Sequence, residues 1–280
     1  AASDVYKRQG MSTSVRELQM ALLDMLVKID ELCKKYEINY SLSSGTVLGA
    51  VRHGGFIPWD DDLDLMFVRE EYEKFLRIPN EEFQRCGFTL QKAFTKEWPM
   101  FFSKVRKNGT TFIEKYPNKL KGAHQGIYID IFPVDNLYNS MLAANVQWNV
   151  FHLLAAKCLD KRGYRTTSLK KKFALTVARF LPEPPMIRFV EASKQKKSKE
   201  VHIFLGASID RDKSIYPREM FEEYTSVEFE GKTFPVIKDY KKYLEITYGN
   251  YMELPPEKDR LAAIHAEYVD LNKSYEEYVK

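Results

Sequence analysis

Carboxylates crowd one short stretch of the chain, Pro58-Trp59-Asp60-Asp61-Asp62-Leu63-Asp64-Leu65-Met66-Phe67. Asp62 and Asp64 are two residues apart. On a strand both would project from one face, while Leu63, Leu65 and Phe67 take the other. Carboxylates side by side repel, and each costs stability when partly buried without a partner. A divalent cation relieves both penalties, and hard oxygen donors suit Mg²⁺. Asp60, just ahead of the strand, is a further candidate ligand. A calcium loop would use Asp60, Asp62 and Asp64 at its first, third and fifth positions and Glu71 at its twelfth. Leu65 stands where that loop needs glycine, and the apolar alternation also argues against it. An acidic turn ahead of a strand is the plainer alternative.

Asp130 is the natural third carboxylate. It lies within Gly126-Ile127-Tyr128-Ile129-Asp130-Ile131-Phe132-Pro133, sharing a strand face with Tyr128 and Phe132. A buried strand aspartate without a partner is costly. A metal ligand or general base is therefore favoured over a carboxylate bonded to backbone or arginine. Asp135, past Pro133, reads as a turn cap. Ser43-Ser44-Gly45-Thr46 ends one strand and opens a helix, where backbone N–H groups bind phosphate and glycine permits close approach. An ordinary N-cap by Ser44 competes with that reading. Arg52 and His53 close the short helix, and Arg52 is a candidate substrate contact. Lys104 and Arg106 alternate with Val105, so they face one way and could neutralise a diphosphate. The alternative is the solvent face of a hairpin. His124, between Gly122 and Gly126, is either a substrate contact or simply exposed. His152, His202 and His265 show no metal-ligand spacing, and no nucleophile-elbow pattern supports a serine hydrolase.

The elements that must position these residues are legible in part. A capping box at Ser14 and Glu17 opens a helix over 12–36, with Leu18, Leu22, Met25, Leu26, Ile29 and Leu32 on one face. Short strands are predicted at 40–42, 62–68, 88–91 and 126–134, and helices at 46–52 and 70–77. Pro133 limits the strand over 126–134 to an end or an edge. Segments 101–106 and 110–114 look like hairpin arms around Asn108-Gly109. A second hairpin, 224–229 with 233–236, turns at Glu230-Gly231. Residues 140–199 are helical in pattern, broken near Gly163 and at Pro182, Pro184 and Pro185. A strand at 201–205 and a helix at 239–248 follow. The absence of a regular βαβ rhythm makes α+β the expected class.

Composition narrows the setting. The 280 residues carry a net charge of +4 and three widely spaced cysteines, Cys33, Cys86 and Cys158, with no metal or disulfide spacing. A reducing cytoplasm is expected. No apolar run is long enough to cross a bilayer as a helix. Residues 1–10 lack the apolar core of a signal peptide and read as a non-native extension. Between Lys157 and Glu200 stand 13 Lys/Arg against 4 Asp/Glu, a net of +9, leaving −5 for the rest. That basic segment could meet anionic lipid, an acidic glycopolymer or nucleic acid, or be a solvated face.

Several of these pieces together resemble the LicD family, which includes phosphocholine transferases acting on bacterial cell-surface glycans. The matching pieces run from Ser44 to Arg52, from Phe56 to Asp64, from Lys104 to Arg106 and from Gly126 to Pro133, with Tyr248-Gly249-Asn250-Tyr251-Met252 and Leu254-Pro255-Pro256 later. The resemblance implies an α+β, nucleotidyltransferase-like fold of the polymerase-β type, a mixed sheet with flanking helices and a helical C-terminal elaboration. It implies one catalytic domain over 11–280: a core over 11–138, a basic helical insert over 139–200 and a C-terminal part over 201–280. It implies Mg²⁺ held by Asp62, Asp64 and Asp130, and a CDP-activated donor, typically CDP-choline. The phospho-alcohol would move to a sugar hydroxyl of a lipopolysaccharide or teichoic acid precursor with release of CMP. Ser44, Gly45, Thr46, Arg52, Lys104, Arg106 and His124 are the expected substrate contacts. The expected partners are the donor, the glycan acceptor and an anionic membrane, with no nucleic acid. The rivals are a nucleotidyltransferase adding a nucleotide, and a non-catalytic glycan- or nucleic-acid-binding protein.

Overall fold

The computed structural model describes residues 13–115, 120, 122–194, 197–203, 211–257, 260 and 264–278. The proposed extension at 1–10 lies outside them, as do residues 204 and 205 of the strand expected at 201–205. Helix α1 (Val15–Lys35) begins as its capping box requires: Glu17 N–H donates to Ser14 Oγ, and Ser14 N–H donates to the Glu17 carboxylate. Strand β1 (Ser41–Leu42), helix α2 (Ser44–His53), strand β2 (Asp64–Val68) and helix α3 (Arg69–Leu76) follow. A short helix α4 (Asn80–Arg85), not expected from the sequence, precedes β3 (Phe88–Gln91). Next come β4 (Ser103–Lys107), β5 (Thr111–Glu114) and β6 (Tyr128–Asn136).

Strand β6 is the hub of a seven-stranded mixed sheet ordered β1-β2-β6-β4-β3. It runs parallel to β2 and antiparallel to β4 and to β7 (Glu200–Ile203), and β7 pairs β8 (Ile215–Pro217). The edge position expected from Pro133 is thus wrong. Neighbouring N–H groups of a strand point to opposite sides. Asp130 N–H donates toward β2, to Leu63 O, so residue 133 faces the other side. There the β4 pairing ends at Ile131 and the β7 pairing begins at Val134. Proline occupies the one position where a missing donor breaks no ladder bond.

One sheet face is apolar: Leu65, Phe67, Val105, Ile129 and Ile131 are fully buried in one core with Leu18, Leu26 and Ile29 of α1. The hairpin expected around Asn108-Gly109 does not form, because β4 joins the large sheet while β5 pairs β11 (Ala266–Asp270). Helices α5 (Met141–Lys161), α6 (Leu169–Phe180) and α7 (Glu183–Lys194) follow β6. The breaks at Gly163 and Pro182 hold, whereas Pro184 and Pro185 sit in the first turn of α7, where no intrahelical N–H is needed. Phe151, Leu154, Cys158, Met186 and Val190 of this segment pack with Trp98, Phe101 and Phe102 as a second apolar cluster. Among its described residues the C-terminal part holds β7, β8, the hairpin β9 (Tyr224–Phe229) and β10 (Lys232–Ile237), the helix α8 (Tyr240–Tyr248), and β11. The class is α+β, a mixed sheet with flanking helices.

Candidate active site

Parallel register brings the carboxylates together. Asp64 of β2 is the direct partner of Asp130 of β6, and Asp130 is the direct partner of Lys104 of β4. Residues in register share a face, so one row crosses three strands. Asp60 and Asp62 lie in the loop before β2, which starts at Asp64, two residues later than expected. Strand conformation from Asp64 onward excludes the calcium loop. The loop is pinned from both sides: Gln19 of α1 donates to the carbonyls of Ile57 and Asp60, and a Cβ added at Gly45 would lie 2.8 Å from Asp60 Oδ2.

The result is an open cleft of about 790 Å³ lined by Asp60, Asp62 and Asp64, by Ser44, Gly45 and Arg52 of α2, and by Tyr248, Tyr251 and His265. Asp130, buried on β6, is not among the residues that line it, and burial raises Asp60, Asp62, Asp64 and Asp130 alike. Asp60 goes well above the ordinary carboxylate range, reinforced by Asp62 and Asp64. Asp64 does likewise, reinforced by Asp62 and Asp130. Asp62 rises to about 6, restrained by His265. Asp130 rises less, because Lys104 opposes its desolvation. Lys104 Nζ is 3.0 Å from Asp130 Oδ1, yet that buried oxygen has no well-aligned hydrogen bond. Lys104 also reaches Glu114 at 3.2 Å, and Arg162 at the end of α5 pairs the same glutamate. Lys104, Arg162 and Arg106 together overcome burial and hold Glu114 far below its usual range.

The expected substrate contacts divide. Ser44, Gly45 and Arg52 line the cleft. The Arg52 guanidinium donates to the carbonyls of Tyr251 and Glu253, which fixes it at the rim. Ser43, not Ser44, occupies the N-cap position of α2, without a side-chain capping bond, and Ser44 is the first helical residue with φ of +47°. Its N–H donates to the Tyr243 hydroxyl. Thr46 is buried and its hydroxyl accepts from Asp64 N–H, so it anchors β2 rather than facing the cleft. Arg106 is buried, donating to Gln91 Oε1 and Gly126 O. It is neither a solvent-facing residue nor a cleft residue. His124 lies against Asn108, Gly126 and the Tyr275 ring, and burial beside Arg106 lowers it to about 4. Asp135 is no turn cap: it lies within β6, one residue before its end, in a buried, two-pronged ion pair with Arg69.

His265 was missed. Its imidazole sits 3.1 Å from Asp61 and 3.2 Å from Asp62. Burial opposes its charge, but Asp61, Asp62 and Asp60 carry it up to about 10. Asp61 is buried and points away from the cleft. It accepts from His265 N–H, Ala266 N–H and the imidazole, which outweigh its burial and lower its pKa. No local spacing could reveal a partner 204 residues away. Tyr248 also lines the cleft. Desolvation of its hydroxyl, then Tyr243, Asp64 and Asp60, keep it neutral far above its ordinary value.

Residues 37–151, which span both carboxylate strands, match the family model for the LicD/FKTN/FKRP nucleotidyltransferase domain. Over 256 residues the chain is 29% identical to the lipopolysaccharide cholinephosphotransferase LicD of Haemophilus influenzae, covering 88% of this chain and 94% of that one. An uncharacterised Rickettsia prowazekii protein is 41% identical over 117 residues, 38% of this chain and 44% of its own. A mouse ribitol 5-phosphate transferase, FKRP, is 31% identical over 84 residues, 29% of this chain and 17% of its own. The family model covers the carboxylate strands and the bacterial relative covers most of both chains; the chain is thus similar to the LicD family, and residues 37–151 carry the match to its nucleotidyltransferase domain.

Proposed function

We propose that this protein transfers phosphocholine to a sugar hydroxyl of a lipopolysaccharide-type glycan, and that the carboxylate cleft is where it does so. The observation that carries the reading is the likeness to a lipopolysaccharide cholinephosphotransferase over 88% of this chain. The parallel pair β2–β6 with its facing aspartates is the core we read as nucleotidyltransferase-like. The donor we infer is a CDP-activated alcohol, and the leaving group CMP.

A diphosphate entering a cleft rich in carboxylates needs positive charge. Arg52 at the rim supplies part of it. The remainder is assigned to a divalent cation such as Mg²⁺. The donor chemistry fits: every candidate ligand is a hard oxygen, the acids raise one another, and Asp130 Oδ1 is buried without an aligned hydrogen bond. Among the described residues, no three His, Cys, Asp or Glu groups converge into a ligand shell. Mg²⁺ is characteristically held by one or two carboxylates and completed by substrate phosphates and water. Asp62 and Asp64 are therefore the assigned ligands, with Asp60 and Asp130 beside them. Such a cation would neutralise charge on the diphosphate and on the leaving CMP.

The chain's own residues do the rest. Ser44 and Gly45 let the donor approach the start of α2. Asp130, restrained by Lys104, accepts the proton of the acceptor hydroxyl as its oxygen bonds to phosphorus and the bond to CMP breaks. His265 holds Asp62 and Asp61 in place. The test is release of CMP and labelling of a lipopolysaccharide acceptor from CDP-choline with Mg²⁺. Asp62→Asn and Asp64→Asn are expected to lose at least about a hundredfold in rate while melting like the parent. Chelation abolishes turnover and Mg²⁺ restores it. Near-parental turnover in both variants overturns the site assignment. Incorporation of the nucleotide instead of the phospho-alcohol overturns the reaction in favour of a nucleotidyltransferase.

A further inference from the structure

The helical segment after β6 carries a surface that the transfer chemistry does not use. Helix α6 buries Ala178 and turns Leu169, Phe173 and Phe180 outward, at 81%, 72% and 81% exposure. At about 100° per residue these three side chains fall within about 40° of one another, with Ala178 opposite. A row of large apolar side chains left in water is unfavourable, and surfaces of this kind mark interaction sites.

The surroundings say what covers the row. Lys171 and Lys172 stand exposed in the first turn of α6, and Arg165 and Arg188 are exposed on the segments either side of it. The segment 157–200 carries 13 Lys/Arg against 4 Asp/Glu. A second copy of this chain would press one positive surface against another. A glycan or a nucleic acid would answer the charge but offers no apolar phase for Phe173 and Phe180. An anionic bilayer answers both, with acyl boundary for the row and headgroups for the cations. Among the described residues no helix is long and apolar enough to cross a membrane, so such contact would lie in the interface plane.

We propose that α6 docks the protein on an anionic lipid surface, inserting Leu169, Phe173 and Phe180 at the headgroup–acyl boundary with Lys172, which flanks the row, on the headgroups. The inference rests on α6 and its flanks and stands whether or not the transfer reading holds. It also gives the surface a physical link to the cleft, because Arg162 at the end of α5 pairs Glu114, which pairs Lys104 beside Asp130.

The experiment is co-sedimentation of the full chain with phosphatidylcholine vesicles, with and without phosphatidylglycerol. Binding is expected only with phosphatidylglycerol, and it weakens with salt. Leu169→Ser/Phe173→Ser/Phe180→Ser together should lower the partition coefficient by at least about tenfold. Lys172→Gln should weaken binding and flatten its salt dependence. The replaced side chains are exposed, so the melting curve should be unchanged. An independent reading comes from Phe173→Trp, whose fluorescence, after subtraction of the parent's, should shift blue and be quenched by brominated lipid. The proposal is overturned by parental binding of the triple serine variant, by no binding of the parent, or by a Trp signal indifferent to vesicles. It is equally overturned if sedimentation velocity shows a parental dimer that the serine variant dissolves.

Discussion

His265 shows how one side chain can hold an acidic site open. Its imidazolium touches Asp61, which is structural, and Asp62, which lines the cleft. His265→Ala leaves the backbone N–H bonds to Asp61 in place but removes the cation beside Asp62. Transfer is therefore expected to fall by about tenfold or more, while the melting temperature moves by only a few degrees; a loss of fold equal to the loss of rate would argue for a purely structural role. Gly45 makes a sharper case. A methyl group there meets Asp60 Oδ2 at 2.8 Å. Gly45→Ala should displace that carboxylate and depress CMP release without unfolding the chain, because a side-chain end can yield. Gly49→Ala meets the Gly55 carbonyl at 2.4 Å. Backbone cannot yield so cheaply, and denaturant titration should show a loss of about 2 kcal/mol or more.

Strand β6 sets the geometry of everything around it, because its neighbours β2 and β4 bring Asp64 and Lys104 to either side of Asp130. Its far end is secured by Asp135 on Arg69, both buried. Asp135→Ala leaves the buried Arg69 guanidinium with only the half-exposed Glu73 carboxylate and is expected to cost about 3 kcal/mol in equilibrium unfolding. Next to that pair, His202 of β7 is buried with no hydrogen-bond partner for either ring nitrogen among the described residues. Burial pushes it down to about 4, against roughly 6.5 in an unfolded chain. The folded state thus binds fewer protons in that window. The contribution is complete above about pH 6.5 and is lost as pH falls, the loss reaching about 3 kcal/mol once pH is below 4. His202→Phe should remove that part of the slope in urea titrations between pH 7 and 4. An unchanged slope would show that the ring protonates in place.

At the scale of the whole molecule, the cleft is a meeting of distant pieces. Deleting residues 264–280 would take β11 from β5 and the His265 and Ala266 bonds from Asp61. The truncated chain is expected to melt at least about 5 °C lower and to lose transfer. Much was readable beforehand because it is local. The capping box, the strand alternation around Asp64 and Asp130, and the Glu230-Gly231 turn depend on neighbours within a few residues. The amino-acid sequence by itself determined that Asp62 and Asp64 are needed on a polar face, and that the segment 157–200 is basic. It did not determine that Lys104 would neutralise Asp130 while Arg106 turns to Gln91, because one alternation allows either solvent or burial. It did not place Pro133 at the centre of the sheet, since the gap between β4 and β7 exists only after both have paired. Nor did it show His265 over Asp62. Register, burial and contacts across 204 residues are set by packing, and packing is decided only when the sheet closes around β6.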